Sequence, residues 1–247
     1  MCLIAFAWNP GSPEPLLVIA NRDEHYARPT AALGWWDDGQ ILAGRDLQAG
    51  GSWMGLSRSG RFAALTNYRD PSRHQPDARS RGALVVDFLR GDGSASDYIR
   101  RLRGEAAAYN DFNLLLFDGA KLLGYESRAD RCLRFGRGAH AVSNACFDTP
   151  WPKVERLKAG LAAAGALDDD LQALLRDRSL APDAQLPHTG VPLEWERALS
   201  AIFIRTPTYG TRSSAIVRLG RNQARFREWT FDHGEPAGQS EFNFPLS

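Results

Sequence analysis

An α+β fold of antiparallel sheets with helices packed outside them follows from three features of the sequence. Strand-like and helical segments come in blocks rather than in strict alternation, turn signals close neighbouring strands into hairpins, and no period of 20 to 50 residues points to a repeat architecture. The 247 residues are enough for one large domain. No composition break forces a boundary, so a single domain over 1–247 is expected.

Residues 2–8 and 16–20 read as short buried strands, joined by a Pro/Gly segment at 9–15 that has the composition of a hairpin loop. Strand-like runs follow at 40–43, 52–56 and 61–67, with Gly50-Gly51 and Ser59-Gly60 as turns. The loop 68–79, punctuated by Pro71 and Pro76, leads into a helix over 80–90, where Leu84, Val85, Phe88 and Leu89 recur at helical spacing. A second helix is predicted over 97–108 with Ser96 as N-cap. Strands return at 112–117, 121–126, 132–135 and 139–142, the first two separated by the Asp118-Gly119 turn. Asp148-Thr149-Pro150 offers a helix start, with Val154, Leu157 and Leu161 on the inward face, and Asp168 is read as the cap of the next helix. A polar loop at 183–192, the most mobile-looking stretch, precedes a short helix at 194–202. Strands at 214–219 and 224–231 close the chain.

Thirty Lys and Arg against 29 Asp and Glu leave a formal charge of +1, so no global field favours nucleic acid or an anionic membrane surface. The opening apolar stretch stops at Asn9-Pro10 and has no basic residue before it, too short for a signal-peptide core or a membrane span. With three cysteines, Cys2, Cys132 and Cys146, a disulfide framework is not expected, and a cytoplasmic, reducing location is. The five histidines never fall at i, i+4, and C-x-x-C is missing, so no metal site is predicted. The segment Gly50-Gly51-Ser52-Trp53-Met54-Gly55 misses the spacing of a nucleophile elbow and is read as turn chemistry. Only Lys121, Lys153 and Lys158 are lysines, so arginine carries nearly all the positive charge.

Chemistry gathers at the start. Removal of Met1 would make Cys2 the first residue, joining a thiol to an α-amine whose pKa is roughly 7.7 to 8.0, so nucleophile and base would come from one residue. The second strand ends in Asn21-Arg22-Asp23-Glu24, which a hairpin returns to the neighbourhood of Cys2. Arg22 has the chemistry to hold a thiolate, and Asp23 to orient the amine. Two plainer readings stand beside this one: a small apolar strand residue for Cys2, and ordinary solvation at a strand exit for the polar quartet.

Asn21-Arg22-Asp23-Glu24 after a penultimate cysteine resembles the NRDE-motif family, also called the transport and Golgi organisation protein 2 family. Other stretches agree: Gly50-Gly51-Ser52-Trp53 with Gly55, Thr66-Asn67-Tyr68-Arg69, Ser143-Asn144 running into Asp148-Thr149-Pro150-Trp151-Pro152-Lys153, and Tyr209-Gly210-Thr211-Arg212. The resemblance implies an N-terminal-nucleophile hydrolase-like fold, a four-layer αββα sandwich of two antiparallel sheets between helix layers. By the looser analogy to penicillin V and bile-salt amidases, Cys2 would attack an amide, flanked by Arg22 and Asp23. Asn67 and Asn144 are then candidates for the oxyanion, and Arg212 for a second guanidinium near the thiol.

The family is also linked to haem movement and acyl-CoA handling, and three readings follow: a cysteine amidohydrolase, a ligand carrier, or an interaction protein on a retired hydrolase scaffold. In the carrier, Cys2 or His25 would contact haem, or arginines around Arg22 and Arg69 would hold the phosphates of an acyl-CoA. Asn21, Glu24 and Trp53 join the ligand-binding candidates, and Trp35 and Trp36 could line the cleft. No cofactor is required; haem enters only as a ligand, alongside an acyl amide or acyl-CoA.

Overall fold

The computed structural model describes residues 2–164 and 167–246. One antiparallel sheet runs, edge to edge, through β10 (Gly138–Val142), β1 (Cys2–Trp8), β2 (Leu16–His25), β11 (Tyr209–Leu219), β12 (Gln223–Asp232) and β13 (Glu235–Pro245). The other runs in chain order through β3 (Thr30–Trp35), β4 (Ile41–Asp46), β5 (Met54–Ser57), β6 (Phe62–Asn67), β7 (Phe112–Phe117), β8 (Leu122–Glu126) and β9 (Arg131–Arg134). Two helices, α1 (Gly82–Arg90) and α2 (Ala95–Arg103), cover the second sheet. The first sheet is covered by α3 (Pro152–Ala163) and α4 (Asp168–Leu175), and α5 (Leu193–Ala198) follows near its end. The result is the expected αββα sandwich. Among the described residues no helix is long and apolar enough to cross a membrane.

Strand alternation explains why the inner strands read as unbroken apolar runs. On β1, Ile4, Phe6 and Trp8 enter the layer between the sheets, while Leu3 and Ala5 pack under α3 and α4. Both faces are dry, so both sets must be apolar.

The same two-sided burial corrects the reading of Asn21-Arg22-Asp23-Glu24 as a strand exit. β2 continues through the quartet to His25, paired with β1 at Cys2↔Arg22 and with β11 from Leu16↔Leu219 to His25↔Tyr209. Polar residues here lie within a central strand.

Two strands were not anticipated. β3 is short and partly exposed at an edge of the second sheet, and β13, carrying Glu, Gln, Ser, Gly and Pro, is an edge of the first. Edge strands bury little and lose the apolar signal that marks inner ones.

Helix boundaries shift for local reasons. The α2 cap is Ser94, whose Oγ accepts the Asp97 N–H at 3.1 Å, not Ser96. The proline at the start of α3 is Pro152 rather than Pro150, because Asp148 adopts a left-handed φ of 55° and accepts the Ala141 N–H through Oδ1. Asp168 lies in the first turn of α4 instead of capping it; its carboxylate takes Arg218 at 2.9 Å and Arg225 at 3.1 Å, tying α4 to β11 and β12. The polar loop at 183–192 is fastened to α5, since the Thr189 N–H and hydroxyl both donate to Glu196 Oε1.

Candidate functional site

Where the two sheets part at the Cys2 end of β1 and β2, a cavity of about 760 Å³ opens. Its floor holds Cys2, its walls include Arg22, Glu24, Trp53, Asn67 and Arg81, and Asp23 borders it. Alternation along β2 sends Arg22 and Glu24 into the inter-sheet space with Cys2, and Asn21 and Asp23 toward the helices.

The Cys2 thiol is buried, and burial pushes its pKa up to about 11. Arg22 pulls the other way, as its chemistry predicts, but desolvation outweighs it, with Asp23 and Glu24 adding to the rise. Burial thus favours the thiol form over the thiolate. Arg22 reaches Glu24 at 3.9 Å, and Glu24 reaches Arg28 at 4.0 Å.

Behind the floor, on the helix side, lies a buried charge cluster. Asp23 Oδ1 accepts the Thr211 hydroxyl at 2.7 Å; burial raises its carboxyl, and Lys153 opposes this most strongly. Lys153, in the first turn of α3, is only 2% exposed, and burial lowers its ammonium to about 8 while Asp23 holds it up. Arg69 Nη1 meets Glu196 Oε2 at 2.8 Å, both side chains buried, with the guanidinium over Trp151 at 4.9 Å.

Several predicted site residues do other work. Asn21 is fully buried away from the cavity: its Nδ2 donates to the Leu175 and Ile202 carbonyls at 2.8 and 2.9 Å, and its Oδ1 accepts the Ser214 hydroxyl. It is a brace between β2, β11 and the helix layer, not a ligand contact. Asn144 lies off the cavity wall, its Nδ2 donating to the Asn67 carbonyl at 2.8 Å, so that donor faces the protein and not an oxyanion. Asn67 itself remains on the wall. Arg69 is committed to Glu196 and unavailable for phosphates. His25 lies outside the cavity with its ring edge-on to Tyr209 at 5.1 Å. Arg212 lines the cavity, but its Nη1 donates to the carbonyls of His25, Tyr26 and Arg28, shaping that turn rather than facing the thiol. Trp35 packs against Phe244, and Trp36 lies under Arg45, leaving Trp53 as the tryptophan of the three at the cavity.

The family model for transport and Golgi organisation 2 matches residues 1–233. The chain belongs to the transport and Golgi organisation 2 family. It is similar to the transport and Golgi organization 2 homolog of Mus musculus, 33% identical over 90% of each chain. The Homo sapiens homolog is 32% identical over 88% of each. Among solved structures, the N-acylethanolamine-hydrolyzing acid amidase ortholog of Caenorhabditis elegans superposes with a TM-score of 0.51 at 10% identity, over 87% of this chain and 92% of that one. That likeness shows a shared N-terminal-nucleophile hydrolase fold.

In this family member two wall residues, Arg81 and Glu228, and the buried Lys153 behind the floor escaped the sequence reading. Arg81, just ahead of α1, donates to the Asp111 carbonyl at 3.1 Å; burial lowers its pKa, and the charges of Cys2 and Glu24 oppose that. Glu228 is 4% exposed on β12 and accepts the Leu33 N–H at 2.7 Å, clamping the two sheets, and burial pushes its carboxyl up. Lys153 was legible only as a rare lysine ending a motif. None of the three has a local signature, because burial of a charge is a tertiary property.

Gly51, read as turn chemistry, has a second role. A Cβ there would lie 2.5 Å from the Gly82 carbonyl carbon, where β4–β5 connection and α1 start cross at the cavity wall. Gly51→Ala is expected to destabilise the fold by about 1–3 kcal/mol, since backbone must move to admit the methyl. Urea unfolding of the two proteins measures it.

Proposed function

We propose that the chain is a cysteine amidohydrolase acting on an amide bond of a small acyl substrate. The observation that carries the reading is Cys2 at the floor of a substrate-sized cavity, in register with Arg22 and next to Asp23. With Met1 removed, the Cys2 α-amine takes the thiol proton, and Sγ attacks the amide carbonyl carbon. The tetrahedral oxyanion lies toward Asn67. The ammonium then returns its proton to the departing nitrogen, the C–N bond breaks, and an acyl thioester is left on Cys2. Water, deprotonated by the same amine, hydrolyses the thioester and frees the acid. A resting thiol with a high pKa fits this order, because deprotonation is coupled to attack rather than preceding it.

A second reading is favoured by the guanidinium-rich wall, where Arg22, Arg28, Arg45, Arg79, Arg81 and Arg212 border the cavity. Such a wall suits an anionic headgroup, as in an acyl-CoA carrier without turnover. Haem is less well served, with His25 outside the cavity. Intact-mass measurement of the purified protein, before and after an electrophilic acyl probe, decides between them. Loss of Met1 with one acyl adduct on Cys2 is expected. Retained Met1 and no adduct, with saturable acyl-CoA binding, would support the carrier instead.

A further inference from the structure

The amidohydrolase reading needs a partner for the negative charge that develops on the amide oxygen, and most residues read from the sequence for that task are engaged elsewhere. Asn144 donates to the Asn67 carbonyl, and Arg212 is held by three backbone carbonyls. Asn67 alone keeps its place on the cavity wall for that role. A second group lies beside it. The Asp111 carbonyl accepts the Tyr68 N–H at 2.9 Å and Arg81 Nη1 at 3.1 Å, so one acceptor ties the Arg81 guanidinium to the residue that follows Asn67. Arg81, Asn67 and Cys2 border the same cavity, and β6, which ends at Asn67, packs against β1, which begins at Cys2.

We infer that Arg81 is a further catalytic residue: its guanidinium and Asn67 together hold the oxyanion formed when Cys2 attacks the amide. The inference rests on the proposed amidohydrolase reading.

The charge of Arg81 is left for a ligand. Among the described residues it forms no ion pair. The Asp111 carboxylate takes Arg73 at 3.4 Å and Arg128 at 3.0 Å, while Glu24 lies 3.9 Å from Arg22 and 4.0 Å from Arg28. One guanidinium N–H of Arg81 is used on the Asp111 carbonyl, which leaves the rest of its donor fork for the substrate. Other wall cations are spent: Arg28 donates twice to Asp46, Arg45 lies over Trp36, and Arg79 is exposed and reaches Glu105 at 3.8 Å. The backbone around Arg81 is also fixed. The Ser52 N–H donates to the carbonyl of Gly82, the next residue, and Gly51 approaches Gly82 too closely for a methyl. A cation held in place beforehand stabilises developing charge without reorganising when the reaction occurs. Charge on Cys2 is felt at Arg81, where it opposes the lowering that burial imposes on the guanidinium.

The test separates stabilisation of the transition state from binding of the substrate. Met1-free protein, verified by intact mass, is assayed on neutral N-acylglycinamides from acetyl to palmitoyl, with the aldehyde of the best acyl chain as inhibitor. The Cys2 sulfur bonds to the aldehyde carbon and the thiol proton passes to the former carbonyl oxygen, so the hemithioacetal oxygen occupies the oxyanion position. Arg81→Met is expected to lower kcat by about a hundredfold, to leave KM within about threefold of the parent, and to weaken the aldehyde by a factor similar to that on kcat. Arg81→Lys keeps the charge without the planar fork and is expected to recover about tenfold of the loss. Thermal melts confirm that each variant is folded. A parental kcat or aldehyde affinity in Arg81→Met, or a loss confined to KM, overturns the inference and leaves the amidohydrolase reading standing. A parent that hydrolyses none of the amides overturns both.

Discussion

Cys2→Ala is expected to reduce acyl-amide turnover by on the order of a thousandfold or more, to the level of the uncatalysed reaction, while the fold persists. The size follows from the double duty of this residue. Its sulfur forms the acyl bond, and in the processed chain its amine moves every proton. Alanine keeps the amine but removes the only atom that can attack. Stability should change little, because the lost atom is one small buried group facing a cavity rather than a packed core. Equal melting temperatures with turnover at background is the expected pair of results. Unchanged turnover in Cys2→Ala would remove the nucleophile from the scheme and return the cavity to the carrier reading.

Breaking the Arg69–Glu196 pair should produce the largest loss of stability. Both side chains are buried, the N···O distance is 2.8 Å, and the Arg69 backbone N–H donates to the Asn144 carbonyl at 2.7 Å. Arg69→Met leaves the Glu196 carboxylate with only the Thr189 donors, and its charge without the guanidinium, in a dry setting. A cost of about 3–5 kcal/mol is expected, because the remaining charge keeps its desolvation penalty and loses its partner. Arg69→Met combined with Glu196→Gln should be less destabilised than the sum of the single variants, since no lone charge is then buried. Chemical denaturation of all four proteins closes that cycle. Strict additivity would show that the pair is not coupled.

Much of the architecture was legible. The opening hairpin, the β-blocks and the inward faces of α1 and α3 carry repeating apolar signals that survive in any context where they are buried. β3 and β13 were missed because edge strands do not need such a signal; α2 began earlier because Ser94 rather than Ser96 caps it locally, and α3 and α4 began elsewhere because Asp148 and Asp168 took hydrogen bonds from Ala141 and Arg218. In the site, Cys2, Arg22, Asp23 and Glu24 followed from a hairpin and a motif. Asn21 lies in the same motif, yet alternation turns it to the helix layer, and no reading of adjacent letters separates the two faces of a strand that is buried on both.

What the sequence by itself determined is proximity: a hairpin that starts at residue 2 returns Asn21-Arg22-Asp23-Glu24 to the neighbourhood of Cys2, and the structure extends β2 to His25 and sets the register at Cys2↔Arg22. What only the tertiary structure decided is solvation. Arg22 was expected to lower the thiol pKa, and instead the closing of two sheets over Cys2 raises it, while burial in the first turn of α3 lowers the Lys153 ammonium to about 8. Desolvation depends on every element that excludes water from an atom, and those elements come from all parts of the chain.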